Sequence, residues 1–160
     1  MITIIHTNKV NNNQCYLLGV SAEKLFKFNE YLVDEIFKRE MAHHNELGKI
    51  GEQLATEFLQ KKGYNILARN FFYNKAEIDI IAQKEDDTIV MIEVKTRNSS
   101  FFGDPQSFVT AKKIKLLVKA ANEYMIVNNL DKEVRFDIIA VLKNKATQEI
   151  EHFENAFYHF

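Results

Sequence analysis

The stretch that decides the fold is "AEIDIIAQKEDDTIVMIEVKTR", Ala76 to Arg97. Two aliphatic, β-branched runs flank the polar and turn-prone "KEDDT", which predicts a hairpin of strands over Ala76–Ala82 and Ile89–Thr96. Three charges interrupt the apolar runs: Asp79, Glu93 and Lys95. Strand side chains alternate faces, so Glu77, Asp79 and Ile81 fall on one face of the first strand, and Ile89, Met91, Glu93 and Lys95 on one face of the second. A turn centred on Asp86 sets Asp79 opposite Glu93, Glu77 opposite Lys95 and Ile81 opposite Met91. A slip of one residue would carry the whole set to the other face, so the apolar matching supports this parity.

Such a pairing has an electrostatic consequence. Directly opposed Cβ atoms lie roughly 5 Å apart. Two ionised carboxylates about 4 Å apart repel by roughly 4 kcal/mol at an effective dielectric near 20. A raised pKa, a close cation or open solvent must relieve that. Ile81, Ile89 and Met91 make the face apolar, which disfavours solvent. Lys95 supplies one positive charge. A divalent metal would satisfy both carboxylates better, because Mg²⁺ takes one or two protein carboxylates and fills its other positions with water and substrate phosphate. Taken alone, an Asp…Glu-x-Lys pattern is more often a salt-bridged cluster at the edge of a half-buried sheet. Its surroundings strengthen the metal reading here: a hairpin with matched faces, a preceding helix that can bring in Glu52, and a following helix rich in lysine.

Working outward, Leu47, Ile50, Leu54 and Phe58 recur at helical spacing, with Asn45 as the expected N-cap. Lys61 and Lys62 suit the C-terminal turn and Gly63 the C′ position. Gly48, Gly51 and Ala55 make one flank small enough for close approach to a sheet. "YNILARNFFY", Tyr64 to Tyr73, predicts another strand. After the loop "RNSSFFGDPQS", a helix is expected over about Thr110 to Val127, burying Ile114, Leu117, Val118, Ala121 and Met125. "EVRFDIIAVLK" predicts a fourth strand and "EIEHF" a short trailing one. The N-terminal part differs. "SAEKLFKFNEYLVDEIFKRE" suits an amphipathic helix with Leu25, Phe28, Leu32 and Ile36 on one stripe and Ser21 as its cap, and residues 1–40 are expected to be an extension that either docks or is partly disordered. Met41 is an alternative start, and residues 41–160 form the expected domain.

The chain has 160 residues and a formal net charge of −1, so bulk electrostatics announces neither nucleic acid nor membrane, and any anion site must be local. Cys15 is alone, which excludes an intramolecular disulfide and suits a reducing compartment. No apolar run approaches the roughly 20 residues of a membrane span, and "MITIIHTNKV" does not read as a secretory signal. A cytoplasmic protein with no membrane partner is expected.

The residues in "HNELGKIGEQLATEFLQKKGYNIL", "RN", "AEIDIIA", "IEVKTR", "FFGDPQSFVTAKK", "RFDIIAV" and "NAF" together resemble the uncharacterised bacterial YraN-like family. Asp79 followed by Glu93-Val94-Lys95, within a helix–strand–strand–strand–helix–strand order, looks like the PD-(D/E)XK fold of restriction endonucleases and archaeal Holliday-junction resolvases. The resemblance covers about Met41 to Phe160. Ala76 departs from the glycine usual before Glu77, which implies that the backbone there needs no positive φ. The resemblance implies an α/β, restriction-endonuclease-like mixed sheet and a metal site for Mg²⁺ or Mn²⁺ formed by Asp79, Glu93 and the Val94 carbonyl. Glu52 would assist from the first helix, and Lys95 would stand beside the attacking water or the scissile phosphate. It also implies cleavage of DNA, branched or damaged by analogy with the resolvases, and the resolvases' homodimeric state, although no residue marks a dimer surface. The alternative is a nuclease-like fold that grips nucleic acid without cutting it.

Other residues carry weaker signals. Thr110 and the free N–H groups of its helix can hold a phosphate, with Lys112 and Lys113 facing a nucleic-acid backbone. Lys115 and Lys119 read equally as a solvated face. Arg97 begins a polar loop beside the site and is a further backbone contact. Phe101 and Phe102 are expected to pack on the domain rather than stack on bases. Arg135 and Asp137 read first as an internal ion pair near the site. His6, His152 and His159 show no partner pattern, His43 and His44 are expected at the surface, and "NAFYHF" reads as an aromatic plug on the core.

Overall fold

The computed structural model describes residues 22–84, 88–98 and 109–157, with side chains from 27 onward. Expectations for Ser21, Leu25, Asp86, His6, His159, Phe101, Phe102 and the rest of the 99–108 loop lie outside that set. The chain divides into two compact units, Met1–His44 and Asn45–Phe160.

The elements are α1 (Ala22–Lys61), β1 (Asn65–Tyr73), β2 (Ala76–Lys84), β3 (Thr88–Arg97), α2 (Ala111–Val127), β4 (Glu133–Lys143) and β5 (Gln148–Phe153). Asn45 does not cap a new helix. It lies inside α1, because neither proline nor glycine interrupts Ala22–Leu47 and a capping side chain alone does not stop a run of good helix formers. In the first unit Phe28, Leu32 and Ile36 of the expected stripe are exposed, and so are His43 and His44. No helix of the described residues is long and apolar enough to cross a membrane.

The second unit is a mixed α/β domain. Its five strands follow the order β1-β2-β3-β4-β5. Neighbours are antiparallel except β3 and β4, which run parallel. A parallel pair needs a crossover, and α2 lies between these two strands in the chain. Two apolar layers cover the sheet. Ile81, Ile89, Met91, Phe136 and Ile138 pack with Leu117, Ala120, Ala121 and Tyr124 of α2. Ile80, Ala82, Val90, Ile92, Val94 and Ile139 pack with Ala55 and Leu59 of α1.

The stripe that α1 buries is Gly51, Ala55, Thr56 and Leu59, while Ile50 stays exposed. The small flank therefore faces the sheet, one step around from the larger apolar residues. Gly51 shows why: a Cβ there would sit 1.8 Å from Thr96 Oγ1. Gly63 ends the helix at φ 85°, with its N–H on Gln60 O and the Tyr64 N–H on Leu59 O, each at 3.0 Å. That is the paired 5→2 and 6→1 closure glycine permits. Ala76 is not among the positive-φ residues, and its methyl is buried in the core. Phe157 packs on Phe136, ring centroids 5.2 Å apart, so the closing aromatic segment does plug the core as far as it is described.

Candidate functional site

The hairpin register holds where it is tightest. Ile81 pairs with Met91, and pairing runs from Ile80–Ile92 to Lys84–Thr88. It does not extend to Glu77 and Lys95. Ile78 packs on the α2 side with Ile81, whereas Ile80 packs on the α1 side, so face alternation resets at Asp79. In place of a further ladder bond, Asp79 Oδ2 accepts the Val94 N–H at 2.6 Å. The reset also corrects the placing of Glu77. Its carboxylate turns to Asn70, whose Nδ2 donates to Glu77 Oε1 at 3.5 Å and to Glu52 Oε2 at 3.0 Å.

Glu93 is 3 % exposed and faces α2. Each of its oxygens has a cation. Lys95 Nζ donates to Oε1. Lys113 Nζ, from the first turn of α2, lies 3.2 Å from Oε2 but without hydrogen-bond alignment, so Oε2 is buried with no hydrogen-bond partner. Lys113 Nζ also donates to the Glu77 carbonyl at 3.4 Å. A chain of polar contacts thus runs Glu52, Asn70, Glu77, Lys113, Glu93, Lys95.

Burial drives the Asp79 carboxyl up to about 7, and the nearby Glu93 charge adds to the rise. The Val94 N–H, Lys113 and Lys95 pull in the opposite direction without cancelling it. Carboxylates opposed on an apolar face are expected to behave in this way.

Among the described residues no group of three or more His, Cys, Asp or Glu gathers as a metal cage. The donor set is instead a carboxylate pair. Asp79 keeps Oδ1 free of described hydrogen bonds, and Glu93 keeps the orphaned, buried Oε2. Two carboxylates are donors that suit a hard dication such as Mg²⁺, which takes one or two protein carboxylates, so the chemistry of these residues fits the group. Among the described hydrogen bonds, Glu52 connects toward this pair through Asn70, Glu77 and Lys113.

The remaining expected contacts are separate. Thr110 caps α2, its hydroxyl accepting the Lys113 N–H at 3.2 Å. Lys112 is exposed. Arg97 is exposed at the end of β3 and donates to the Thr96 carbonyl at 3.0 Å.

Arg135 and Asp137 do form an ion pair, Nη2 to Oδ2 at 2.8 Å. The pair sits on the α1 face, opposite Glu93, since Phe136 and Ile138 on either side of Asp137 face α2. Sequence reasoning missed His152 here: its Nε2 lies 2.8 Å from Asp137 Oδ2 and its ring is fully enclosed. Asn155 N–H also donates to Asp137, at 2.9 Å, and Arg135 bonds Tyr64 Oη at 3.0 Å. Burial pushes the Asp137 carboxyl up, but His152, Arg135 and Asn155 outweigh it and hold it below the usual carboxylate range. A signal did exist: His152 lies opposite Ile139, two residues from Asp137, which is diagonal reach across an antiparallel pair.

The fold and site define a mixed α/β domain with a buried glutamate, Glu93, clasped by two lysines next to a half-buried aspartate, Asp79. The chain belongs to the family described as uncharacterised protein family UPF0102, the YraN-like family its motifs resemble, whose model matches residues 51–141. The UPF0102 protein FP2501 of Flavobacterium psychrophilum is 65 % identical over 120 residues, which are 75 % of this chain and all of that protein. A UPF0102 protein of Christiangramia forsetii is 57 % identical over the same length and coverage. One from Phocaeicola vulgatus is 46 % identical over 118 residues, 74 % of this chain and 97 % of its own.

Proposed function

We propose that this protein is a metal-dependent nuclease that hydrolyses phosphodiester bonds in DNA, on a domain of the restriction-endonuclease-like, PD-(D/E)XK type. The observation that carries this reading is Glu93 Oε2, a buried carboxylate oxygen without a hydrogen bond, close to the half-buried carboxylate of Asp79. Lys113 Nζ at 3.2 Å balances the charge of that oxygen without a hydrogen bond, and a bound dication would satisfy it more fully.

Asp79 and Glu93, with the Val94 carbonyl, would hold Mg²⁺ or Mn²⁺. Held there, a dication would supply a lowered pKa for a coordinated water and neutralisation of charge developing on the phosphate. Asp79 is oriented for this by the Val94 N–H, which fixes one oxygen and leaves the other. Lys95 keeps its ammonium at Glu93, where it can stabilise charge on a phosphate oxygen or orient the water. Glu52 sets the rim through Asn70 and Glu77. Lys112 and Arg97, both exposed, supply backbone contacts, with Thr110 at the helix start. Branched or damaged DNA is the substrate class that the likeness to resolvases favours.

The test is incubation with Mg²⁺ or Mn²⁺ and a panel of duplex, single-stranded, flap and four-way DNA. Cleavage is expected that EDTA stops and Asp79→Ala abolishes. Cleavage surviving Asp79→Ala unchanged would end the proposal. Retardation of DNA with no cutting under any metal would establish the non-catalytic, nucleic-acid-gripping alternative.

A further inference from the structure

We propose that Lys113 is a displaceable counter-ion that holds the metal's position on Glu93 in the metal-free protein and is released toward the phosphate when the metal enters. This rests on the metal-site reading above.

Three observations support it. Lys113 Nζ lies at ion-pair distance, 3.2 Å, from the one oxygen of Glu93 that has no hydrogen bond. Lys95 already serves the other oxygen, so Lys113 stands where a dication would approach. Its grip there is loose, since its aligned bond goes instead to the Glu77 carbonyl at 3.4 Å.

Local helix energetics do not explain the residue. Lys112 and Lys113 occupy the first turn of α2, which has no acidic residue. Cations at a helix N-terminus oppose its dipole and are unfavourable there. A positive charge there is compensated by something outside the helix, and for Lys113 that is Glu93. Lys112 is exposed, and among the described residues no ion pair of it is found.

Charge counting gives the direction of the switch. Without metal, two lysines face two carboxylates. A dication at Asp79 and Glu93 neutralises the carboxylates by itself and leaves Lys113 beside excess positive charge. Like charges at this range repel, so the flexible lysine swings off Glu93, and an incoming phosphate is its natural partner. Lys113 is thus a positioning residue whose place on Glu93 and metal binding are reciprocally linked.

Titrate the full chain with Mn²⁺, reading free ion by electron paramagnetic resonance, for wild type, K113Q and K113R. K113Q is expected to bind Mn²⁺ more tightly, within the roughly 5- to 150-fold range of ordinary site coupling. K113R, which keeps a cation there, stays close to wild type. A merely structural lysine would give the reverse, weaker binding in K113Q. Equal or weaker binding by folded K113Q, with wild type binding normally, overturns the inference and leaves the nuclease reading standing. No binding by wild type or K113Q overturns both. A second readout needs no variant: pulse acetylation of wild type, read by mass spectrometry. Saturating Mg²⁺ should raise labelling of Lys113 several-fold over Lys115 and Lys119, and an unchanged ratio overturns the inference.

Discussion

Asp79 Oδ2 accepts the backbone N–H of Val94 at 2.6 Å, at the point where the β2–β3 ladder stops. One side chain thereby replaces a strand hydrogen bond and holds a carboxylate beside Glu93. Partial burial of that carboxylate beside another is costly, and the cost can be measured.

Burial raises the Asp79 carboxyl to about 7, so the folded chain holds this proton more tightly than the unfolded chain does. Asp79's contribution to stability is therefore most favourable below about 4 and is lost as pH rises toward about 7. Asp79→Asn removes the charge and keeps an acceptor for Val94. The variant is expected to melt higher than wild type at pH 8 in EDTA, by roughly 2–4 °C for each ~1 kcal/mol regained. That advantage should shrink at pH 4.5. Thermal melts at both pH values decide it, and a constant difference would contradict the assigned shift.

Lys95 and Glu93 separate by function. Glu93→Gln is expected to abolish Mn²⁺ binding. Lys95→Ala should retain Mn²⁺ and lose cleavage by about 10²- to 10³-fold, as when a single charge-stabilising donor is removed. Calorimetry alongside single-turnover cleavage separates the two, and loss of metal binding in Lys95→Ala would assign the lysine a structural role instead.

Gly51 sets how closely α1 approaches β3. A Cβ there would meet Thr96 Oγ1 at 1.8 Å and Thr96 Cβ at 2.9 Å. Gly51→Ala is expected to destabilise by about 1–3 kcal/mol through overpacking. Thr96→Ala in the same chain should recover only part of this, because the contact with Thr96 Cβ remains. Urea denaturation of the single and double variants measures both effects.

Asp137 anchors the other face. Its carboxyl is held below the ordinary range, so it contributes stability above about pH 4 that is lost as pH falls through its lowered value. Asp137→Ala would take this acceptor from His152 and the Asn155 N–H and leave Arg135 with Glu154, 3.3 Å away, as its anionic partner. A loss of about 3–5 kcal/mol at pH 7 is expected from breaking a buried pair. Asp137→Asn, a milder change, should leave Mn²⁺ affinity unaltered. A large affinity change in that folded variant would contradict the placing of the two clusters on opposite faces.

The hairpin and its Ile81–Met91 match were legible in the sequence, because strand side chains alternate with a period of two and a one-residue slip would turn the apolar set from Ile80 onward to the wrong face. Helix α2 was legible too, from Thr110 and its apolar stripe, as was the glycine that closes α1. These depend on residues a few positions apart. Tertiary structure alone decided that alternation resets at Asp79, sending Glu77 to Asn70 and Glu52, and that Lys113 reaches Glu93 from another element. It also decided that His152 closes on Asp137 and that α1 runs through Asn45. The physical reason is that such contacts follow from the register between strands and the approach of helices to a sheet. Those are settled by packing across the whole core rather than by local pattern.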